Sequence, residues 1–250
     1  MYTENFVYGE VLGAGLLADI AAPEEGGPFP VIVSVHGGRW IRGDRRDVTA
    51  IDVREWAGYG FFAMTIDYRL VTCTPAPACY QDLLCAVRWV HAHKDEYDLD
   101  TERLFLIGMS AGGHMVSLAA TLGQGDFDRT GGWADQPHTY TAAISVSGAY
   151  DLVRLNWGGG WMPPGVPWDA ARRYASPVQH VSADNRPLLI LHSDNDNSIP
   201  VQQALDMVSA MEEASAPHEF VHYPDRGHMP IDEEIVRQSL SFFDKFCTAP

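Results

Sequence analysis

Short apolar runs alternate along the chain with stretches in which apolar residues return every three or four positions. Residues 6–11 and 16–21 read as two strands joined by a Gly13-Ala14-Gly15 turn. A Pro/Gly-rich turn over 23–30 follows. Val31-Ile32-Val33-Ser34-Val35 is then almost continuously apolar, which predicts a strand buried on both faces of a parallel sheet. Residues 61–66, 104–107, 142–146, 188–191 and 220–222 read as further strands. Between them, Tyr80, Leu83, Leu84 and Val87 fall at i, i+3, i+4, i+7, the spacing of one helix face. Residues 111–122 continue as a helix, and Val201, Ala204, Leu205, Val208 and Met211 form another helical stripe. The closing helix, 231–246, is expected to turn Ile235, Phe242 and Phe246 inward. This alternation predicts an α/β fold of about eight strands, mostly parallel, with helices on both faces.

The 250 residues are expected to form one domain, 1–250, interrupted by one irregular stretch. Over 147–183 periodicity is lost, and Trp157, Trp161, Trp168, the glycines Gly158, Gly159 and Gly160 and several prolines gather there. A loop this long that follows a central strand is expected to act as a lid or substrate-binding insertion, because open α/β sheets bind ligands beyond their strand C-termini. Composition narrows the partners. Seventeen Lys+Arg against 33 Asp+Glu leave a net charge of −16, a field that repels nucleic acid and anionic membranes. No apolar run is long enough to cross a bilayer. The first residues, Met1 to Asn5, lack a basic n-region and an apolar h-region, which predicts a cytoplasmic protein or a mature form from which a leader was removed. Of four cysteines, Cys85 sits in a helical pattern as a core thiol, while Cys73 and Cys79 bracket a short loop that a disulfide can close. No His/Cys cluster has metal-ligand spacing, so neither metal nor cofactor is expected.

Gly108-Met109-Ser110-Ala111-Gly112 reads G-x-S-x-G between an expected strand and an expected helix. That context is what a nucleophile elbow requires: a sharp turn that lifts the serine hydroxyl above the sheet at the positive end of a helix. His36-Gly37-Gly38-Arg39-Trp40 directly follows the strand at 31–35. Glycines there let backbone N–H groups face a carbonyl without an obstructing side chain. The candidate oxyanion donors are the N–H groups of Gly38, Arg39 and Ala111, ahead of Gly37, with His36 in a structural role. A hydroxyl nucleophile needs a base, and the base an orienting carboxylate. Of ten histidines, His228 follows Gly227 in the loop between the last strand and the last helix. The acid is expected in the loop 192–200, where Asp196 lies nearer the next helix and Asp194 competes as a turn residue.

Taken in order, His36-Gly37-Gly38-x-Trp40, Asp67-Tyr68-Arg69, Gly108-x-Ser110-Ala111-Gly112-Gly113-His114, Asp194-x-Asp196-x-x-Ile199-Pro200 and Gly227-His228 resemble the small bacterial esterases of the α/β-hydrolase superfamily. The similarity is nearest to the acetyl-xylan/feruloyl esterase-like and hormone-sensitive-lipase-like acetyl esterases. The resemblance spans nearly the whole chain. It implies a serine carboxylesterase acting on short acyl esters, acetyl or feruloyl esters of carbohydrates, with Ser110, Asp196 and His228 as the triad. The second aspartate of the D-x-D stretch is the acid in that family. Asp67-Tyr68-Arg69 reads as a structural ion-pair and turn element. Arg39 departs from the pattern, since many relatives carry a third glycine there. The backbone N–H survives, but the pocket wall must house a long cation. Kynurenine-formamidase-like enzymes share the H-G-G-x-W loop and the elbow, so an arylformamidase-like amidase is the alternative. Trp40, Trp157 and Trp161 are the expected substrate-binding surfaces, flat faces for a sugar or phenolic ring, unless they simply pack a lid over the core.

Overall fold

The computed structural model describes residues 1–157 and 160–247; Gly158 and Gly159 lie outside the described residues. Eight strands form one sheet: β1 (Tyr2–Val11), β2 (Ala14–Ala21), β3 (Phe29–Val35), β4 (Phe62–Ile66), β5 (Leu99–Met109), β6 (Ala142–Val146), β7 (Leu188–Ser193) and β8 (His218–Tyr223). Their order is β1-β2-β4-β3-β5-β6-β7-β8. The pairs β1/β2 and β2/β4 are antiparallel, and every pair from β4 to β8 is parallel. The helices are α1 (Val53–Gly58), α2 (Ala78–Ala92), α3 (Ala111–Thr121), α4 (Trp168–Tyr174), α5 (Gln202–Glu213) and α6 (Glu233–Cys247), with a 3-10 turn at Pro177–His180.

The continuous apolar runs of the central strands supply two cores, because successive side chains point to opposite faces. Val31, Val33, Val35, Leu104 and Leu106 pack with α2, α3 and α5 on one face. Ile32, Phe105, Ile107 and Ile144 pack with α1 and α6 on the other. In α6 the buried positions are Ile235, Val236, Ser239, Phe242 and Phe243, a stripe at helical spacing. Phe246, expected inward, is half-buried at the edge of that core. Asp52 caps α1 by accepting from the N–H groups of Arg54 and Glu55.

Several elements differ from the sequence expectation. Strand β5 begins at Leu99, because Leu99 and Asp100 pair with Phe29 and Pro30 across a register shift before the apolar run starts. Helix α1 is short and was not expected. The 147–183 stretch is more ordered than its composition implies, since it carries α4 and the 3-10 turn. The thiols of Cys73 and Cys79 are free, one exposed and the other buried, and no disulfide closes that loop. Cys85 is buried, as expected of a core thiol. Among the described residues no helix is long and apolar enough to cross a membrane.

Candidate active site

The turn from β5 to α3 is sharp because three glycines remove the atoms that would block it. A Cβ on Gly108 would lie 2.3 Å from the Gly112 carbonyl carbon, and one on Gly112 would lie 2.0 Å from the Val35 oxygen. A Cβ on Gly113 would meet Gly148 Cα at 2.9 Å. Helix α3 therefore sits directly against β3 and β6. Ser110 occupies the turn with φ 57° and ψ −113°, a region that costs an L-residue about 1–3 kcal/mol. The strain is held by its neighbours: the Ser110 N–H donates to Val146 O at 2.9 Å, and Ser110 O accepts from the His114 N–H at 2.9 Å.

The loop after β3 stands across from this turn. Gly38, Arg39 and Trp40 all have positive φ, at 108°, 56° and 62°. A side chain at Gly38 would meet the Arg42 carbonyl oxygen at 2.0 Å. Three successive left-handed residues turn the backbone amides of this loop in an unusual direction. The Gly37 N–H donates to Thr49 Oγ1 at 2.8 Å and is thereby occupied. Among the described residues, the N–H groups of Gly38, Arg39 and Ala111 have no acceptor. The loop is braced from behind. His36 is buried and its Nδ1–H donates to Gly37 O at 2.7 Å, while its ring stacks on Tyr68 at 4.1 Å. The Tyr68 hydroxyl donates to Gly37 O at 3.1 Å. Asp67 pairs with Arg45 and Arg69 pairs with Asp82, so Asp67-Tyr68-Arg69 serves as a structural brace.

The loop after β7 carries the two competing aspartates, and their surroundings separate them. Asp194 is exposed and accepts from the half-exposed His222 at 2.7 Å, a surface pair. The Asp196 side chain is fully buried. Its Oδ1 accepts from the N–H groups of Ser198 and Ile199 at 2.8 and 2.9 Å, and its Oδ2 accepts from His228 Nδ1 at 2.7 Å. Burial alone would push this carboxyl up. The His228 bond and the two backbone donors outweigh it, so Asp196 is held below the usual carboxylate range and stays ionised. With Nδ1–H donated to the carboxylate, the neutral imidazole of His228 is the tautomer that carries its lone pair on Nε2. His192, buried beside the same carboxylate, spends its Nε2–H on Ile199 O at 2.9 Å.

The loop that presents His228 is pinned from three sides. The Arg226 N–H donates to Ser193 Oγ at 2.8 Å, the Gly227 N–H to Asn195 Oδ1 at 2.6 Å, and the Met229 N–H to Ser147 Oγ at 3.1 Å. Gly227 has φ 61°, which a side chain would strain. The clamps Ser147, Ser193 and Asn195 escaped sequence reasoning, because each is an ordinary turn residue until three strand ends come together.

Ser110 and His228 open on one cavity of about 310 Å³, lined also by Gly38, Arg39, Arg42, Asp47 and Trp157. No hydrogen bond within 3.5 Å joins Ser110 Oγ to another described residue. The tryptophans divide. Trp157 lines the cavity and anchors itself by donating from Nε1 to Ser198 O at 3.0 Å. Trp40 and Trp161 are 0% and 1% exposed and pack edge-on against His114. Their faces are covered by core neighbours, so the expectation of open stacking surfaces fails for these two. Trp168 is exposed on α4 beneath the Arg172 guanidinium, outside the cavity lining.

A mostly parallel eight-stranded sheet, a strained serine at the β5/α3 elbow and a histidine-bearing loop after β8 define the α/β-hydrolase fold. The family described as BD-FAE matches residues 18–211, and the chain belongs to that family. It is 33% identical over 202 residues to the probable carboxylic ester hydrolase LipM of Mycobacterium tuberculosis, covering 76% of this chain and 46% of LipM. The chain spans about half the length of the first curated relatives it matches. Among solved structures it resembles a bifunctional GH43-CE protein of Bacteroides eggerthii, with TM-score 0.86 and 22% identity over 99% of this chain and 38% of that one. A butyrate-bound esterase of Thermogutta terrifontis superposes with TM-score 0.81 and 24% identity, covering 98% of this chain and 92% of that one.

Proposed function

We propose that this protein is a serine carboxylesterase that hydrolyses short acyl esters through an acyl-enzyme, with acetyl and feruloyl esters of carbohydrates as its substrate class. The observation that carries the reading is the buried Asp196 carboxylate bonded to His228 Nδ1 at 2.7 Å, with His228 and Ser110 lining the same cavity. In this reading His228 Nε2 takes the Ser110 hydroxyl proton as Oγ attacks the ester carbonyl. The resulting oxyanion accepts from the Gly38, Arg39 and Ala111 N–H groups at the positive end of α3. Collapse breaks the ester C–O bond, and His228 hands its proton to the departing alkoxide. Water, deprotonated by the same nitrogen, then attacks the acyl-enzyme and releases the acid and Ser110.

The cavity of about 310 Å³ is at the small end for ligand sites, which favours acetyl and propionyl groups over long chains. The stretch 147–183 contributes Trp157 as one wall, an apolar surface beside which a sugar or phenolic group can pack, with the Arg39 guanidinium already lying over its ring. Initial rates should be measured on 4-nitrophenyl acetate, butyrate and octanoate, on methyl ferulate and acetylated xylan, and on an N-formyl arylamine. Acetyl esters should be cleaved faster than octanoyl esters. A preference for octanoate would overturn the short-chain assignment, and faster cleavage of the formamide than of any ester would replace esterase by amidase.

A further inference from the structure

We propose that this site prefers esters that also carry a carboxylate, recognised by Arg39 and Arg42 at the cavity that holds Ser110 and His228. The proposal rests on the serine-esterase reading and adds a substrate class to it. Its basis is a local reversal of charge. The chain as a whole is strongly acidic, yet two arginines and a single carboxylate, Asp47, line the catalytic cavity. Elsewhere in the fold arginines such as Arg45, Arg69 and Arg226 are paired with carboxylates. Among the described residues Arg39 and Arg42 take part in no ion pair and no side-chain hydrogen bond, although Asp47 lines the same space. Asp47 is engaged in its own turn, where Oδ1 accepts from the Thr49 N–H at 3.0 Å.

Arg39 is also held in place. Its guanidinium lies over the Trp157 ring, 5.1 Å from the centroid, and Trp157 is tied through Ser198 O to the loop that carries Asp196. Cation–π contact restrains a guanidinium without neutralising it and leaves its N–H edge available. That edge presents a planar fork matched to the two oxygens of a carboxylate. A general role in stabilising the reaction's oxyanion would help every ester equally; recognition of a substrate carboxylate helps only those that bear one.

Two matched pairs separate these roles and locate the carboxylate. 4-Acetoxybenzoate against 4-acetoxybenzamide places the charge on the alcohol side. The mono-4-nitrophenyl ester of adipic acid against its methyl diester places it on the acyl side. kcat/KM should be measured for wild type, Arg39→Gln, Arg42→Gln and the double variant, at low and high NaCl. In at least one pair the anionic-to-neutral ratio should fall by about 10- to 100-fold in the double variant, the scale of a lost charge-assisted contact. In wild type that ratio should also drop with salt, and in the double variant it should not. Comparison of ratios cancels any general effect of the substitutions on turnover. A ratio unchanged by the double substitution in both pairs would overturn the proposal while leaving the esterase intact. Failure of wild type to cleave any of the four esters would remove the esterase reading, and this proposal with it.

Discussion

Replacing Asp196 by Asn tests the acid assignment with almost no change in shape. The carboxylate accepts three bonds, two from the backbone N–H groups of Ser198 and Ile199 and one from His228 Nδ1. An amide has one acceptor and one donor end. Turning the NH2 towards Ser198 and Ile199 would set it against two buried N–H donors, at about 1–3 kcal/mol for each group left unsatisfied. The amide oxygen therefore keeps the backbone bonds, and the NH2 faces His228. Imidazole Nδ1 must then accept, and its proton moves to Nε2, the nitrogen that has to receive the proton of Ser110. The base is held in the wrong tautomer and loses its charge partner as well. Turnover should fall about 10⁴-fold, equivalent to about 5.5 kcal/mol of transition-state stabilisation. Asp194→Asn breaks only a surface pair with His222, worth about 0–1 kcal/mol, and should leave turnover within a few-fold of wild type. The assay is kcat for 4-nitrophenyl acetate on active-site-titrated enzyme, with a thermal melt on each variant. A larger loss for Asp194→Asn, or less than a tenfold loss for a folded Asp196→Asn, would refute the assignment.

Ser110→Ala and His228→Ala should each lower kcat by several orders of magnitude, and the double variant should be hardly worse than either, since the two act as a unit; single-turnover kinetics that multiply would contradict this. Gly112→Ala should destabilise by roughly 1–3 kcal/mol, because its Cβ would lie 2.0 Å from the Val35 oxygen and force α3 off β3, and urea unfolding measures it. The acid limb of stability should follow three buried histidines. Burial pushes His36, His114 and His192 below the usual imidazole range, with His114 down to about 4. A depressed folded pKa means that the unfolded chain takes up protons first. Their contribution is therefore complete above about pH 6.5 and is lost as pH falls below it, for His114 down to about pH 4 and by up to about 1.4 kcal/mol per pH unit. His114→Gln should flatten that slope by about one proton in denaturant titrations at pH 7, 6 and 5, and an unchanged slope would remove His114 from the account.

Much of this molecule is legible in one dimension. The elbow could be read because its chemistry is local: glycines at 108, 112 and 113 are required by contacts within one turn and its immediate strands, so the requirement leaves its mark on adjacent letters. The central strands could be read because burial on both faces demands unbroken apolar runs. Chain order pointed to His228, and the resemblance to a known family favoured Asp196. Other features depended on what packs against what. Trp40 and Trp161 look the same in sequence as Trp157, but of the three Trp157 alone lines the cavity, while the other two are buried among core neighbours. Helix α4 was hidden in a stretch rich in Trp, Gly and Pro, since seven residues with a single buried alanine carry too weak a periodic signal. The two aspartates two positions apart differ in burial and in the loop that stands opposite each, neither of which adjacent letters record. Likewise, the clamps Ser147, Ser193 and Asn195 gain a role only where parallel strands end side by side and bring residues 32 to 82 positions apart into hydrogen-bond contact. Local sterics and solvation write themselves into neighbouring residues, whereas long-range contact is settled only when the sheet is assembled.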